Sequence, residues 1–285
     1  MKINTISPDE QNFLQILTHI ANAPKSLDYT GTLPTERVPT VAIVGTRKPT
    51  GYGRDVTHKI AFELASRGVV VVSGLALGVD SIAHKAALEA GGTTIAVLGC
   101  GLPRIYPSSH KGLADEIVKK GGAVMSEYER DEEARPHYFL ERNRIVSGLA
   151  DAIIITEAAA KSGTLNTAAH ALEQGKEIFV VPGNITSPLS SGCNELLKQG
   201  AAVLTSYQDV LDVIAPGAVA PQTRLALGST PAETAIIQQL SSGMRDGEAI
   251  QKATKLPAAE FATTLTMLEI AGVVRNLGSN QWTLR

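Results

Sequence analysis

The stretch VAIVGTRKPTGYG (41–53) decides the fold. Val41 to Val44 run without the alternation of a half-exposed strand, which predicts a strand buried on both faces. A glycine, a hydroxyl and an arginine then break the run, and a helical pattern follows. The unit recurs: β-branched, apolar runs stand at Val69–Val72, Thr94–Leu98, Ala123–Met125, Ala152–Thr156, Ile178–Val181 and Ala202–Leu204. Strands that alternate with helices predict a parallel, doubly wound sheet whose right-handed crossovers place helices on both faces. The expected class is α/β, with a Rossmann-like, mostly parallel sheet.

Working outward, this domain spans 38–214. Residues 1–37 read as an N-terminal extension with one short amphipathic helix, Glu10 to Ala21, and a looser segment from Pro24 to Pro39. APGAVAPQTRLALGS (215–229) has linker composition. Beyond it, helical patterns at Ala232–Leu240, Asp246–Thr254 and Pro257–Ala271 precede two short strands around Gly278-Ser279-Asn280. That order predicts a winged helix over 230–285.

Composition limits the function. The 285 residues are 44% hydrophobic but only 4% aromatic, so the core rests on Val, Ile, Leu and Ala. A formal net charge of -2 excludes a protein coated in basic charge, and any nucleic-acid site must be a local pocket. Cys100 and Cys193 have no metal-ligand spacing and form no disulfide framework, which suits a reducing compartment. No apolar run approaches the roughly 20 residues of a membrane helix. No signal-peptide pattern is visible. A cytoplasmic protein without membrane association is expected.

Ligands of open parallel sheets bind beyond the carboxyl ends of the strands. There stand Gly45, Thr46 and Arg47 after the first strand, Ser73 and Gly74 after the second, and Ser162, Gly163 and Thr164 after the fifth. Glycines let the backbone approach a ligand, helix N-termini favour anions, and arginine offers a planar fork to phosphate. Arg142, Asn143 and Arg144 precede the fifth strand, and Lys111 follows a Tyr-Pro turn. These residues are the expected phosphate ligands. No spaced GxGxxG and no GxxxxGK[ST] is present, so neither a dinucleotide nor a triphosphate is expected, and no cofactor or metal. Asp80 and His84 share a helix face. The expected roles are a helix cap for Asp80 and local packing for His84, and Cys100 is read as structural.

Together VAIVGTRKPTGYG (41–53), VVSGLALGVDSIAH (71–84), FLERNRIVSGLAD (139–151), TEAAAKSGTLNTAAHALEQGKEIFVVPG (156–183) and SGCNELLKQGA (191–201) closely resemble the DNA-processing protein A (DprA/Smf) family. The resemblance runs from about Pro24 to Val213, and the C-terminal module resembles that family's winged-helix appendage. It implies sequence-independent binding of single-stranded DNA, protection of incoming DNA, loading of a RecA-type recombinase during natural transformation, and a homodimer. It also implies DNA contacts at Arg47, Lys111, Arg142, Arg144 and the Ser162-Gly163-Thr164 turn; the residues themselves, without a recognisable catalyst, predict no catalysis.

Two rival readings arise, the first on the same fold and the second on the winged helix. A phosphoribohydrolase of the LOG type acts on nucleoside monophosphates, but Thr167 stands where that family carries its catalytic Glu, and threonine supplies no carboxylate base. A duplex-reading transcriptional regulator needs basic and amide groups on its recognition helix. Residues 257–271 carry Glu260 and Glu269 and no Lys or Arg.

Overall fold

The computed structural model describes residues 2–216, 230–278 and 280–284. Most of the expected linker, 217–229, and Ser279 of the expected turn lie outside the described residues. The chain divides into two units, 1–218 and 219–285.

The larger unit is built on a nine-stranded sheet. Its strands are β1 (Asn4–Ile6), β2 (Leu27–Gly31), β3 (Thr40–Val44), β4 (Val70–Ser73), β5 (Thr94–Val97), β6 (Ala123–Ser126), β7 (Ala152–Ile155), β8 (Glu177–Val180) and β9 (Ala202–Val203). The spatial order is β1-β2-β6-β5-β4-β3-β7-β8-β9. From β6 to β9 every pairing is parallel, and β1 and β2 add an antiparallel edge. The seven apolar runs read from sequence coincide with β3 to β9 to within about one residue.

The strand period sorts the core into two layers. Val41, Ile43, Val71, Ala152 and Ile154 face one side. They pack under α1 (Gly51–Ala65) and α2 (Val79–Glu89), with α3 (Lys111–Lys119) beside them over β5 and β6. Ala42, Val44, Val72, Ile153 and Ile155 face the other side, under α4 (Pro136–Leu149) and α5 (Gly163–Glu173). Helices α6 (Ser191–Lys198) and α7 (Tyr207–Ile214) complete the unit.

Residues 1–37 differ from expectation. The stretch Glu10 to Ala21 is not an α-helix. It forms two short 3₁₀ turns, Pro8–Glu10 and Gln15–His19, separated by extended backbone at Gln11. Side-chain bonds pull the chain off a helical path: Gln11 Nε2 donates to Pro34 O, and Asn12 Nδ2 donates to Glu36 Oε2 at 2.9 Å. The apolar spacing that imitates a helix serves the main core, where Phe13, Leu14 and Leu17 are fully buried. Gly148 of α4 makes room for them, since a Cβ there would lie 2.9 Å from Leu17 Cδ2. This segment therefore belongs to the sheet and core of the larger unit.

The smaller unit is a winged helix: α8 (Pro231–Ser241), α9 (Gly247–Thr254) and α10 (Ala258–Ile270), then β10 (Val274–Gly278) antiparallel to β11 (Gln281–Leu284). Thr230 and Glu233 close α8 with a capping box, and Asp246 accepts from Ala249 N at 2.9 Å to cap α9. Ile236, Ile250, Phe261, Leu265, Leu268 and Trp282 form its core.

One buried polar group makes stability depend on pH. His84 is fully buried on α2, and its Nδ1 lies 2.6 Å from Thr94 Oγ1. The hydroxyl's own proton goes to Val71 O, so Nδ1–H is the donor. Nε2 has no partner among the described residues. Burial lowers the pKa to about 3, and repulsion from His110 and Arg142 adds to it. The folded pKa lies below the unfolded one, so the unfolded chain binds the extra proton and stability falls as pH drops below about 6.5. Between pH 8 and pH 5 the loss from this group is about 2 kcal/mol. In denaturant melts at the two pH values, His84→Asn should lose about that much less than wild type. Equal losses would contradict the assignment.

Candidate functional site

From β3 the chain winds outward through β4 and β5 to β6, and then returns to place β7 on the other side of β3. The loops leaving β3 and β7 therefore part to opposite faces, and a cleft opens beyond their carboxyl ends. Its volume is about 330 Å³. The loop after β3 is latched on both sides. Thr46 N donates to Glu157 O at 2.8 Å, and Val79 N donates to Thr46 O at 3.2 Å. Gly45 allows this approach, because a Cβ there would sit 2.7 Å from Val79 Cγ2.

Two exposed cations stand at the cleft, Arg47 and Lys161. Neither forms an ion pair among the described residues. The Arg47 guanidinium lies 5.6 Å from the centre of the Phe139 ring, and Phe139 packs on Tyr106 with ring centres 5.2 Å apart. An arginine over an aromatic face is held in place while its donors stay open to solvent.

Opposite, Ser162 caps α5 and accepts from Thr164 N at 3.2 Å, and its hydroxyl donates to Thr164 Oγ1 at 3.0 Å. A Cβ at Gly163 would meet only Leu140, at an ordinary 3.8 Å, so packing does not require glycine there. Asn143 from α4 spans the rim, with Nδ2 3.2 Å from Asn166 Oδ1.

Beneath the rim the polar groups hold one another. Arg142 is buried, 4% exposed, and Nη1 donates to Gly74 O at 2.7 Å and to Val97 O. A side chain at Gly74 would run into that guanidinium. Ser73 Oγ donates to Ile43 O at 2.7 Å. Asp80 accepts from Gly74 N at 3.1 Å and Ala76 N at 3.3 Å. It therefore ties the loop after β4, where a helix cap was expected. Burial raises its pKa, opposed by the Arg142 guanidinium. Glu157 accepts from Thr50 N at 2.8 Å and Thr50 Oγ1 at 2.6 Å. Thr167 lines the cleft and is buried, so its hydroxyl occupies the place where the phosphoribohydrolase reading needs a carboxylate.

The structure thus brings Gly45, Thr46, Arg47, Arg142, Asn143, Ser162, Gly163 and Thr164 to one cleft, with Ser73 and Gly74 behind its wall. Arg144 faces elsewhere. Both ends of its guanidinium meet Glu127, at 2.6 Å each, and Nε donates to Asn22 O at 3.0 Å. Lys111 opens α3, exposed, outside the cleft lining. Lys161 and Phe139 were not singled out from sequence. Lys161 is signalled only by standing beside Ser162, and Phe139 by preceding Arg142 by one helical turn.

Comparison with known proteins agrees with this architecture. Residues 4–215 match the family described as DNA recombination-mediator protein A, and residues 218–280 match the DprA winged helix domain. The DNA processing protein DprA of Streptococcus pneumoniae is 43% identical over 195 residues, covering 68% of each chain. Protein Smf of Escherichia coli is 45% identical over 172 residues, 60% of this chain and 46% of its own length. The chain spans about half to two thirds of the length of such curated relatives. Among solved structures, DprA from S. pneumoniae superposes with a TM-score of 0.69 at 40% identity, covering 75% of both chains. DprA from Helicobacter pylori superposes at 0.65 and 36% identity, covering 74% of this chain and 95% of that one. With a family match across the whole sheet unit and a second across the winged helix, the chain belongs to the DNA recombination-mediator protein A family.

Proposed function

We propose that this chain binds single-stranded DNA by its phosphates in the cleft beyond β3, β4 and β7, and that it does so without catalysing a reaction. The observation that carries the reading is the pair Arg47 and Lys161: two exposed cations with no carboxylate partner among the described residues, Arg47 from the loop after β3 and Lys161 beside the Ser162 and Thr164 hydroxyls of the loop after β7, lining one cleft. Such a site suits the sugar–phosphate backbone, which every sequence shares. The H. pylori relative supports the reading, since its structure is described as giving insight into a single-stranded-DNA binding mode.

In this reading Thr46, Arg47, Lys161, Ser162, Gly163 and Thr164 meet the strand. Arg142, Ser73 and Gly74 hold the cleft's shape from behind, and Gly45 and Asn143 shape its rim. Arg144 and Lys111 flank it. The carboxylates of Asp80 and Glu157 already accept backbone hydrogen bonds, and Thr167 offers none, which supports a binding role over hydrolysis of a nucleotide. With a formal net charge of only -2, a single site gives modest affinity, and a homodimer would raise it by avidity. The larger role proposed is that of a cytoplasmic mediator that covers incoming single strands and hands them to a RecA-type recombinase.

Fluorescence anisotropy with an oligothymidylate tests the site. Arg47→Ala and Lys161→Ala should each weaken binding by about 1.5–3 kcal/mol, the range for a hydrogen bond to a charged group. Each should also lower the slope of log affinity against log salt by about 0.7. Arg144→Ala should change affinity far less. Unchanged binding in the Arg47 variant, or the largest loss in the Arg144 variant, would move the site elsewhere. Incubation with adenosine monophosphate should release no free adenine from wild type, and release would restore the hydrolase reading.

A further inference from the structure

The winged helix has a face that neither its own core nor duplex recognition explains. Helix α10 turns Phe261, Leu265 and Leu268 inward. On its outer side Ala259, Ala262, Thr266 and Ile270 follow at helical spacing, with Met267 beside them. Met267 is 55% and Ile270 76% exposed. Alongside runs a cleft of about 320 Å³ between α9 and α10, floored by Phe261, Leu265 and Trp282. Small side chains at Ala258 and Ala262 leave it open. No residue that lines it is basic, and Glu248 stands on its α9 wall. Glu269 continues the row of Ala258, Ala262 and Leu265 at the end of α10, since these positions lie four, seven and eleven residues from the first, within about one face of the helix. In a winged helix this is the element offered to the major groove. Here its acids repel phosphate, and its apolar stripe has no use against a polyanion.

We propose that this face docks an amphipathic helix of a partner protein, with apolar residues at three- and four-residue spacing and Lys or Arg on its flanks. The cleft takes one apolar anchor, the stripe Ala262–Thr266–Ile270 takes the rest, and Glu248 and Glu269 meet the basic flanks. This is the helix-in-groove mode of recognition. Charge complementarity sets the sign of the partner, because the cleft lining holds Glu248 and no basic residue and Glu269 extends the same face of α10.

The full chain reports on this face directly, because Trp282 is its single tryptophan. The probe is a synthetic peptide of about 16 residues, roughly four helical turns, with Leu at helical spacing and Lys on both flanks. Its titration should shift Trp282 emission saturably. Replacing the peptide's Lys by Glu should weaken binding at least about fivefold, and the protein variant Glu248→Lys with Glu269→Lys should reverse that order. Ala262→Arg, at an exposed position, should abolish the shift and leave the unfolding transition in place. Three results would overturn the proposal: equal binding of a scrambled peptide of the same composition, saturation of the same signal by duplex DNA, or emission that changes on dilution of the protein alone, which makes a second copy the occupant.

Discussion

The parallel pairing of β3 with β7 is the constraint on which the site depends. Val41 to Val44 lie in register against Ala152 to Ile155, although more than a hundred residues of chain separate them. In the sheet, β4, β5 and β6 lie on one side of β3, and β8 and β9 lie beyond β7 on the other. Two strands that end side by side but send their loops to opposite faces leave a gap at their carboxyl ends. The chain lines that gap with Arg47 from one loop, Lys161 from the other, and Phe139, Leu140 and Asn143 of α4. The apolar β-branched residues do not touch a ligand, yet they decide where the ligand must sit.

Polar groups at the cleft divide by depth. At the floor, Arg142, Asp80, Ser73 and Glu157 each hold a backbone partner. These bonds fix the loops, and buried polar groups without them would cost stability. At the rim, Arg47 and Lys161 keep their charge in solvent. The carboxylates near the cleft, Asp80 and Glu157, are held by amides and a hydroxyl.

Much of this was legible in the sequence, for identifiable reasons. Runs such as Val41–Val44 and Ala152–Ile155 are short, β-branched and bounded by turn residues, and they alternate with helical patterns, so the sheet and its loops could be placed. The Gly45-Thr46-Arg47 and Ser162-Gly163-Thr164 turns follow from that placement. What escaped was decided by tertiary contact. Phe13, Leu14 and Leu17 have helical spacing, but bonds from Gln11 and Asn12 to residues 34 and 36 break the helix and seat them in the core. Arg142 and Arg144 look alike in Arg-Asn-Arg, and only the helix geometry sends one to buried carbonyls and the other to Glu127. Lys161 carries no signal beyond its place beside Ser162, and that turn brings it to the cleft. Asp80 reads as a cap because it opens a helix, yet its carboxylate turns back to the loop after β4.

The two units differ in the charge they present. The sheet unit gathers a few cations around a cleft on a chain of nearly balanced charge, while the helix that a winged module would present to a duplex is acidic and apolar. The most direct measurement of the central claim is a crystal structure of the full chain with a short oligothymidylate. The account predicts a backbone phosphate within hydrogen-bond distance of Arg47 and Lys161, with Arg142 still on Gly74 O and Arg144 still on Glu127. A strand that bypasses the cleft beyond β3 and β7, with Arg47 and Lys161 left in solvent, would contradict it.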